Sequence, residues 1–86
     1  MLLLVCAVRD SAVGGFMRPF YMSSEGQALR SFQDEVNRKS DDNMMFSHPE
    51  DFELYTFGTF DDSTGEFDLY KSPKPLATAK SVFLPQ

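Results

Sequence analysis

The sequence predicts an α+β domain: a small antiparallel four-stranded sheet in the order β-β-α-β-β, with one helix packed on one face. The chain has 86 residues, which is enough for one hydrophobic core. Segments rich in β-branched and aromatic residues stand on both sides of a single segment with helical spacing of apolar residues. We expect residues 1–70 to form this domain and residues 71–86 to form a C-terminal arm.

Composition excludes several classes of protein. Hydrophobic residues make up 42% of the chain and aromatic residues 14%, which is too apolar for a disordered protein. The 13 acidic and 8 basic residues give a net charge of −5, so the chain is no general polycation that coats nucleic acid. The single cysteine, Cys6, allows neither an internal disulfide framework nor a cysteine-based zinc site, and it fits a reducing cytosol.

The first two predicted strands are Leu2 to Arg9 and Phe16 to Met22. The first is too short to span a membrane and lacks the basic segment that precedes the apolar stretch of a secretory signal. It is apolar on both faces, which places it inside the sheet. Pro19 cannot donate a ladder hydrogen bond, so the second strand should lie at an edge or at a bulge.

The predicted helix begins after Ser24, which with Gln27 forms a capping-box pattern. Its apolar residues recur at helical spacing and form one stripe that should face the sheet: Ala28, Leu29, Phe32 and Val36. We expect it to end between residues 37 and 39.

The last two predicted strands are Phe52 to Phe60 and Glu66 to Tyr70, joined by a hairpin loop over residues 61–65. Gly58 indicates a bulge. We expect Phe67 and Leu69 to face inward. Beyond Lys71, the prolines break the strand pattern, and a short turn or strand is predicted over residues 81–84.

No set of residues typical of an active site is present. The only histidine is His48, and Cys6 lies in a strand predicted to be buried, where a thiol is inert. There is no Gly-x-Ser-x-Gly elbow and no glycine-rich phosphate loop. We therefore expect no enzymatic activity and no cofactor.

Two acidic segments were weighed as metal sites. Residues 61–66 lack the spacing of a twelve-residue calcium loop, which favours an exposed hairpin turn. His48, Glu50 and Asp51 could offer one imidazole and two carboxylates. Because acids beside a proline often satisfy turn amides, we expect these side chains to cap a turn instead, and we predict no metal.

Charge divides the chain into unequal parts. Residues 41–68 carry nine acids and no Lys or Arg, whereas residues 69–86 carry three lysines and no acid. Such a dipole allows the chain to bind an anion at one end, or to pair its two ends within a monomer or across a dimer. The acidic block could also dock a basic partner protein.

The second face of the predicted sheet carries Tyr21, Tyr55 and Phe57 and has no helix to cover it. It must be solvated, covered by the tail, paired with another copy or used for binding. This face, and the edge expected beside Pro19, predict a homodimer.

Aromatic platforms flanked by cations hold single-stranded nucleic acid. The residues that fit this pattern lie on the predicted strands, the helix and the arm: Arg9, Arg18, Tyr21, Arg30, Tyr55, Lys71, Lys74 and Lys80. Contacts of this kind act mainly through phosphate and carry little sequence information.

A set of motifs in fixed order adds a family resemblance: Arg9-Asp10, Pro19-Phe20, Ala28 to Phe32, His48 to Tyr55, and Gly58 to Asp62 with Gly65. Over about residues 1–70 the chain resembles the small nonstructural protein of gokushoviruses, the single-stranded DNA phages of the microvirus family.

The resemblance implies a DNA-binding protein of the infected bacterial cytoplasm. It implies a role at the switch from double-stranded replication to single-stranded genome synthesis and packaging. Single-stranded DNA is the expected partner. The alternative is a protein-interaction module whose acidic block docks the phage replication initiator or a host replication factor. No membrane partner is expected.

Overall fold

The computed structural model describes residues 1–85. Its elements, in chain order, are β1 (Leu2–Asp10), β2 (Gly15–Phe16), β3 (Phe20–Met22), α1 (Glu25–Val36), α2 (Met44–Ser47), a 3-10 turn (Pro49–Asp51), β4 (Phe52–Asp61), β5 (Glu66–Thr78) and α3 (Ala79–Val82). The predicted α+β class, with an antiparallel sheet and one main helix packed on it, is confirmed.

The sheet is antiparallel and has β1 at its centre. One side of β1 pairs along its whole length with β4, and β5 follows β4 at one edge. The other side of β1 pairs with β2 at one end and with β3 in the middle, so these two short strands form the opposite edge. The interior position predicted for the first strand is confirmed.

The predicted second strand is two short strands rather than one. Residues 17–19 leave the strand between β2 and β3. Pro19 lies in this interruption, where its missing N–H breaks no ladder bond, and the segment lies at a sheet edge as predicted. Val8 still accepts a hydrogen bond from the Met17 amide at 2.8 Å, which holds the chain close to β1.

Helix α1 begins and packs as its sequence predicts. The Ser24 hydroxyl accepts a hydrogen bond from the Gln27 amide at 3.1 Å, and the Gln27 side chain accepts from the Ser23 amide at 2.9 Å. Ala28, Phe32 and Val36 are buried against the sheet. Their partners there are Cys6 and Val8 of β1 and Phe52 and Leu54 of β4. We call this the helix face of the sheet.

Gly58 forms the bulge predicted for β4. The ladder to β1 skips Phe57, so Thr56 pairs with Cys6 and Gly58 pairs with Val5. Simple alternation along the strand predicted that Thr59 lies on the same face as Tyr55. The bulge shifts the alternation by one residue and places Thr59 on the helix face instead. A Cβ on Gly58 would lie 2.2 Å from the Asp68 carbonyl oxygen, and its φ is +131°. Both features require glycine at this position.

The return strand is longer than predicted, and its apolar residues do not face inward. Strand β5 continues past Tyr70 to Thr78, with residues 70–73 bulged out of the ladder opposite Phe57. Phe67 is 54% exposed and Leu69 57% exposed. Both pair with β4 residues that face away from α1, so no helix covers them.

Most of the segment predicted as an arm is ordered structure. Residues 74–78 pair with β4, and Ala79 at the start of α3 is fully buried. The Asn37 side chain donates to the Val82 carbonyl at 3.0 Å and accepts from the Leu84 amide at 2.7 Å. These bonds hold the C-terminal turn against the end of α1. Residue 86, part of the predicted arm, lies outside the described residues.

The turn at residues 48–51 forms as predicted, but acidic side chains do not cap it. The Asp51 amide donates to the His48 carbonyl at 3.1 Å, which closes a 3-10 turn with Pro49 at its start. No side chain caps this turn. The Asp51 carbonyl instead accepts from the Ser11 amide at 2.8 Å, so the turn is anchored by backbone to the β1–β2 connection.

Candidate nucleic-acid interface

We call the sheet face that points away from α1 the open face. It carries two groups of aromatic rings, and within each group the rings contact one another. Phe16 packs edge-on against Tyr55 and Phe57, with ring centroids 5.3 and 5.2 Å apart. Tyr21 lies 5.7 Å from Phe60, which lies 4.7 Å from Phe67. The rings hold one another in place and form a preordered surface. The position predicted for Tyr21, Tyr55 and Phe57 on the second face is confirmed.

Between the two groups lies a groove of about 450 Å³. Val5 and Ala7 of β1 form its floor. Phe16 and Tyr21 stand on one side of it, with Phe57, Phe67 and Leu69 on the other. The lining is almost wholly apolar, so the groove favours flat rings and aliphatic groups over polar ones.

Arg9 and Arg18 lie at one end of the open face, which we call the arginine end. Arg9 is half-buried and pairs in register with Phe16 on one side and Glu53 on the other. Arg18 is exposed, between two residues that line the groove, Met17 and Pro19. Arg9 therefore lies beside the Phe16 and Tyr55 rings, and Arg18 lies on the exposed connection between β2 and β3 at the edge of this face.

Three acids also lie near Arg9 at the arginine end, since Glu50, Asp51 and Glu53 line one pocket with Arg9 and Tyr55. The Tyr55 hydroxyl donates a hydrogen bond of 2.8 Å to Glu53. This bond is the largest cause of a raised pKa at Tyr55, and Arg9 opposes the effect through its charge. The phenol stays neutral at physiological pH, which fixes the ring as a neutral stacking surface.

The other predicted cations are not brought to this end. Arg30 lies exposed on α1, on the helix side of the sheet. Lys74 pairs with Thr56, whose side chain is buried on the helix face, and Lys80 lies on α3. Lys71 is in the bulged segment of β5. Of the eight residues predicted for nucleic acid, the open face therefore holds Tyr21 and Tyr55 with the two arginines beside them.

The sequence interpretation missed three residues of this surface: Phe16, Phe60 and Phe67. Phe16 is 44% exposed and contacts both Tyr55 and Phe57. The sequence contained the information needed to find Phe16, because a hairpin between the first two predicted strands places Phe16 opposite Arg9. Phe60 and Phe67 could be placed only once the Gly58 bulge and the hairpin register were known.

The acidic hairpin loop lies at the far end of β4. The Met1 amine lies 2.9 Å from an Asp62 carboxylate oxygen and 3.5 Å from Asp61. The Ser63 amide donates to Asp61 at 2.9 Å, and this backbone bond is the main cause of the lowered pKa of Asp61. These acids keep the far end of the sheet negative.

His48, Glu50 and Asp51, the residues weighed as metal ligands, do lie together. Their potential ligand atoms fall within 4.8 Å of one another, and His48 Nδ1 lies 3.6 Å from Glu50. His48 and Glu50 are exposed and Asp51 is half-buried. The proximity follows from the tight 3-10 turn, and we assign no metal role to it.

None of the helices among the described residues has the length and apolar character needed to cross a membrane. A sequence profile of the family described as phage ORF5 protein matches residues 3–82, from β1 into α3. No curated protein and no solved structure matches the chain significantly. The phage origin implied by the sequence resemblance is confirmed at the level of this family. Because the match covers nearly the whole chain, the protein belongs to the phage ORF5 protein family.

Proposed function

We propose that this protein is a noncatalytic phage factor that binds single-stranded DNA on the open face, at the arginine end. The observation that carries the proposal is Arg9 beside the packed Phe16 and Tyr55 rings, with Arg18 exposed on the connection at the neighbouring sheet edge. In keeping with its resemblance to the gokushovirus nonstructural protein, it acts in the bacterial cytoplasm at the switch to single-stranded genome synthesis and packaging.

Single-stranded DNA suits this surface because unpaired bases expose flat faces. Phe16 and Tyr21 are 44% and 45% exposed, so each offers a ring face or edge while its neighbours hold it in place. Base stacking on aromatic side chains contributes about 1–3 kcal/mol per base and tolerates any sequence. The apolar groove offers few polar groups to read base edges, so we expect little sequence preference.

The same electrostatics predict modest affinity. The net charge of −5 repels phosphate at long range, and the acidic hairpin loop limits the DNA to one end of the face. With two arginines to neutralise phosphate, we expect about two phosphate contacts per protomer. The logarithm of the binding constant should then fall with the logarithm of the salt concentration with a slope of roughly −1.4 for single strands.

Fluorescence anisotropy of a labelled single-stranded oligonucleotide, titrated at several salt concentrations and against a duplex competitor, tests this proposal. We expect micromolar binding that prefers the single strand and weakens with salt. Arg18→Glu should weaken binding and reduce the magnitude of the salt slope by roughly 0.7, the share of one phosphate contact. Lys39→Glu is the matched control, because it makes the same charge change at an exposed position just beyond α1.

Two outcomes would contradict the proposal. If Arg18→Glu and Lys39→Glu weaken binding equally, the effect is one of net charge, and the arginine end is not the site. If no binding occurs at low salt, the acidic block becomes the candidate surface, and the replication initiator or a host replication factor becomes the partner to test by pull-down.

A further inference from the structure

We infer that strand β5 docks a second copy of this chain, with the two β5 strands antiparallel. The inference does not rest on DNA binding and is tested without DNA, although Phe67 and Leu69 also line the groove of the open face. Strand β5 is an edge strand, and residues 66–75 are all exposed. An exposed edge with apolar side chains is a surface on which another chain can pair or pack.

The apolar centre of this strand is large enough for a small interface. Phe67, Leu69 and Tyr70 are 54%, 57% and 45% exposed. Large side chains of this kind have about 150–250 Å² each, so the three leave on the order of 300 Å² of apolar surface uncovered. A small specific interface buries about 600 Å² on each partner, of which somewhat more than half is apolar. The uncovered apolar surface of β5 is therefore about as large as such an interface requires. We therefore expect a dimer with a micromolar dissociation constant.

The order of charges along β5 identifies the occupant as a second copy. Acids precede the apolar centre, at Glu66 and Asp68, and lysines follow it, at Lys71 and Lys74. A copy rotated by 180° about an axis between Leu69 and Tyr70 places Asp68 opposite Lys71 at both ends, with Glu66 one position out of register with Lys74. A parallel copy would place like charges together. Such self-complementarity is what a two-fold interface requires.

The prolines restrict where the two copies can meet. Pro73 and Pro75 cannot donate backbone hydrogen bonds, so a new ladder cannot extend past Ser72. The segment left free is 66–72, which includes the apolar centre. Nucleic acid is a poor occupant here, because Glu66 and Asp68 flank Phe67 and repel phosphate.

Sedimentation equilibrium of the full chain without DNA tests the inference. We expect the mass to rise from 9.8 kDa towards twice that value between about 1 and about 200 micromolar protein. Leu69→Glu should weaken dimerisation at least tenfold, since it places three acids within residues 66–69. Val13→Glu is the matched control, because Val13 is 78% exposed at the β1–β2 turn, and it should have no effect.

A charge exchange identifies the pairing directly. The double variants Lys71→Glu/Lys74→Glu and Glu66→Lys/Asp68→Lys should each be monomeric, and an equimolar mixture of the two should dimerise. Circular dichroism checks that both variants are folded. A wild-type mass that stays at 9.8 kDa up to the highest concentration would overturn the inference. So would a dimer that Leu69→Glu leaves unchanged, or a mixture of the double variants that fails to associate.

Discussion

Strands β4 and β5 carry similar alternating apolar patterns but meet opposite environments. In the first half of β4, Phe52 is 6% exposed and Leu54 is fully buried beneath α1. In the first half of β5, Phe67 and Leu69 are each more than half exposed. The two segments differ in what lies above them rather than in how apolar they are.

The difference lies first in the face of the sheet, since Phe52 and Leu54 lie on the helix face whereas Phe67 and Leu69 lie on the open face. The short helix adds to it. The twelve residues of α1 extend about 18 Å, whereas the longest axis of the molecule measures 43 Å. The helix therefore covers one end of the sheet and leaves the β4–β5 hairpin uncovered. The covered end provides the core, and the uncovered end and the open face keep apolar residues available for partners.

Gly58 lies where the covered and uncovered regions join, and its substitution should have the largest effect. Gly58→Ala should lower the free energy of unfolding by about 3 kcal/mol or more, because the new Cβ would collide with the Asp68 carbonyl and φ is positive. Urea denaturation measures it. Gly15→Ala is the control, with no atom within 4 Å of its Cβ. Equal effects of the two substitutions would contradict this account of the bulge.

The contrast between the strands can be measured with one pair of leucines. Leu54→Ala should lower the free energy of unfolding by about 2–5 kcal/mol, because it leaves a cavity in the core. Leu69→Ala should change it by less than about 0.5 kcal/mol in a dilute sample, since that side chain is already exposed. Similar losses for both would show that the hairpin apolar residues belong to the core.

Asn37 connects the covered end to the C-terminal turn. Asn37→Ala removes the bonds to Val82 and Leu84 and should cost about 1–3 kcal/mol in thermal or urea unfolding. Arg38→Ala serves as the neighbouring control, because its ion pair with Glu35 is exposed to solvent and contributes little to stability. A cost for Asn37→Ala no larger than that of the control would mean that the C-terminal turn is held by packing alone.

The smallest effect concerns pH. Burial raises the pKa of the Cys6 thiol from 9.0 to about 11. The folded protein therefore retains a proton that the unfolded chain releases, so stability is complete below pH 9 and falls as pH rises towards 11. Urea unfolding of the wild type and of Cys6→Ala across this pH range measures the difference. The other groups that lose a proton at alkaline pH are the same in both proteins, so their effect cancels. An identical pH dependence in the two proteins would exclude this contribution of Cys6.

Local sequence signals predicted much of the fold. The Ser24 cap, the apolar stripe of α1, the edge position of Pro19 and the bulge at Gly58 each follow from a residue whose chemistry permits few alternatives. The orientation of Phe67 and Leu69 could not be predicted in the same way. Alternation shows that two faces differ, but the strand register across the Gly58 bulge decides which residues lie on the face that α1 covers.

The candidate site was predictable only in part. Arg9, Arg18, Tyr21 and Tyr55 were identified because cations and rings fall close together along the strands. Arg30 and Lys74 were included on charge alone, and the fold places them on the helix side. Charge carries no information on which face of a sheet a residue occupies, whereas strand register does.

The central claim is that the arginine end binds DNA and the hairpin end does not. Anisotropy with one labelled single-stranded oligonucleotide, titrated in parallel with Phe16→Ala and Tyr70→Ala, tests it most directly, because Tyr70 is an exposed ring of β5 that does not line the groove. The account predicts that Phe16→Ala weakens binding about tenfold, as loss of one stacking ring should, while Tyr70→Ala binds per protomer like wild type. Weaker binding by Tyr70→Ala than by Phe16→Ala would contradict the account and place the DNA on the hairpin.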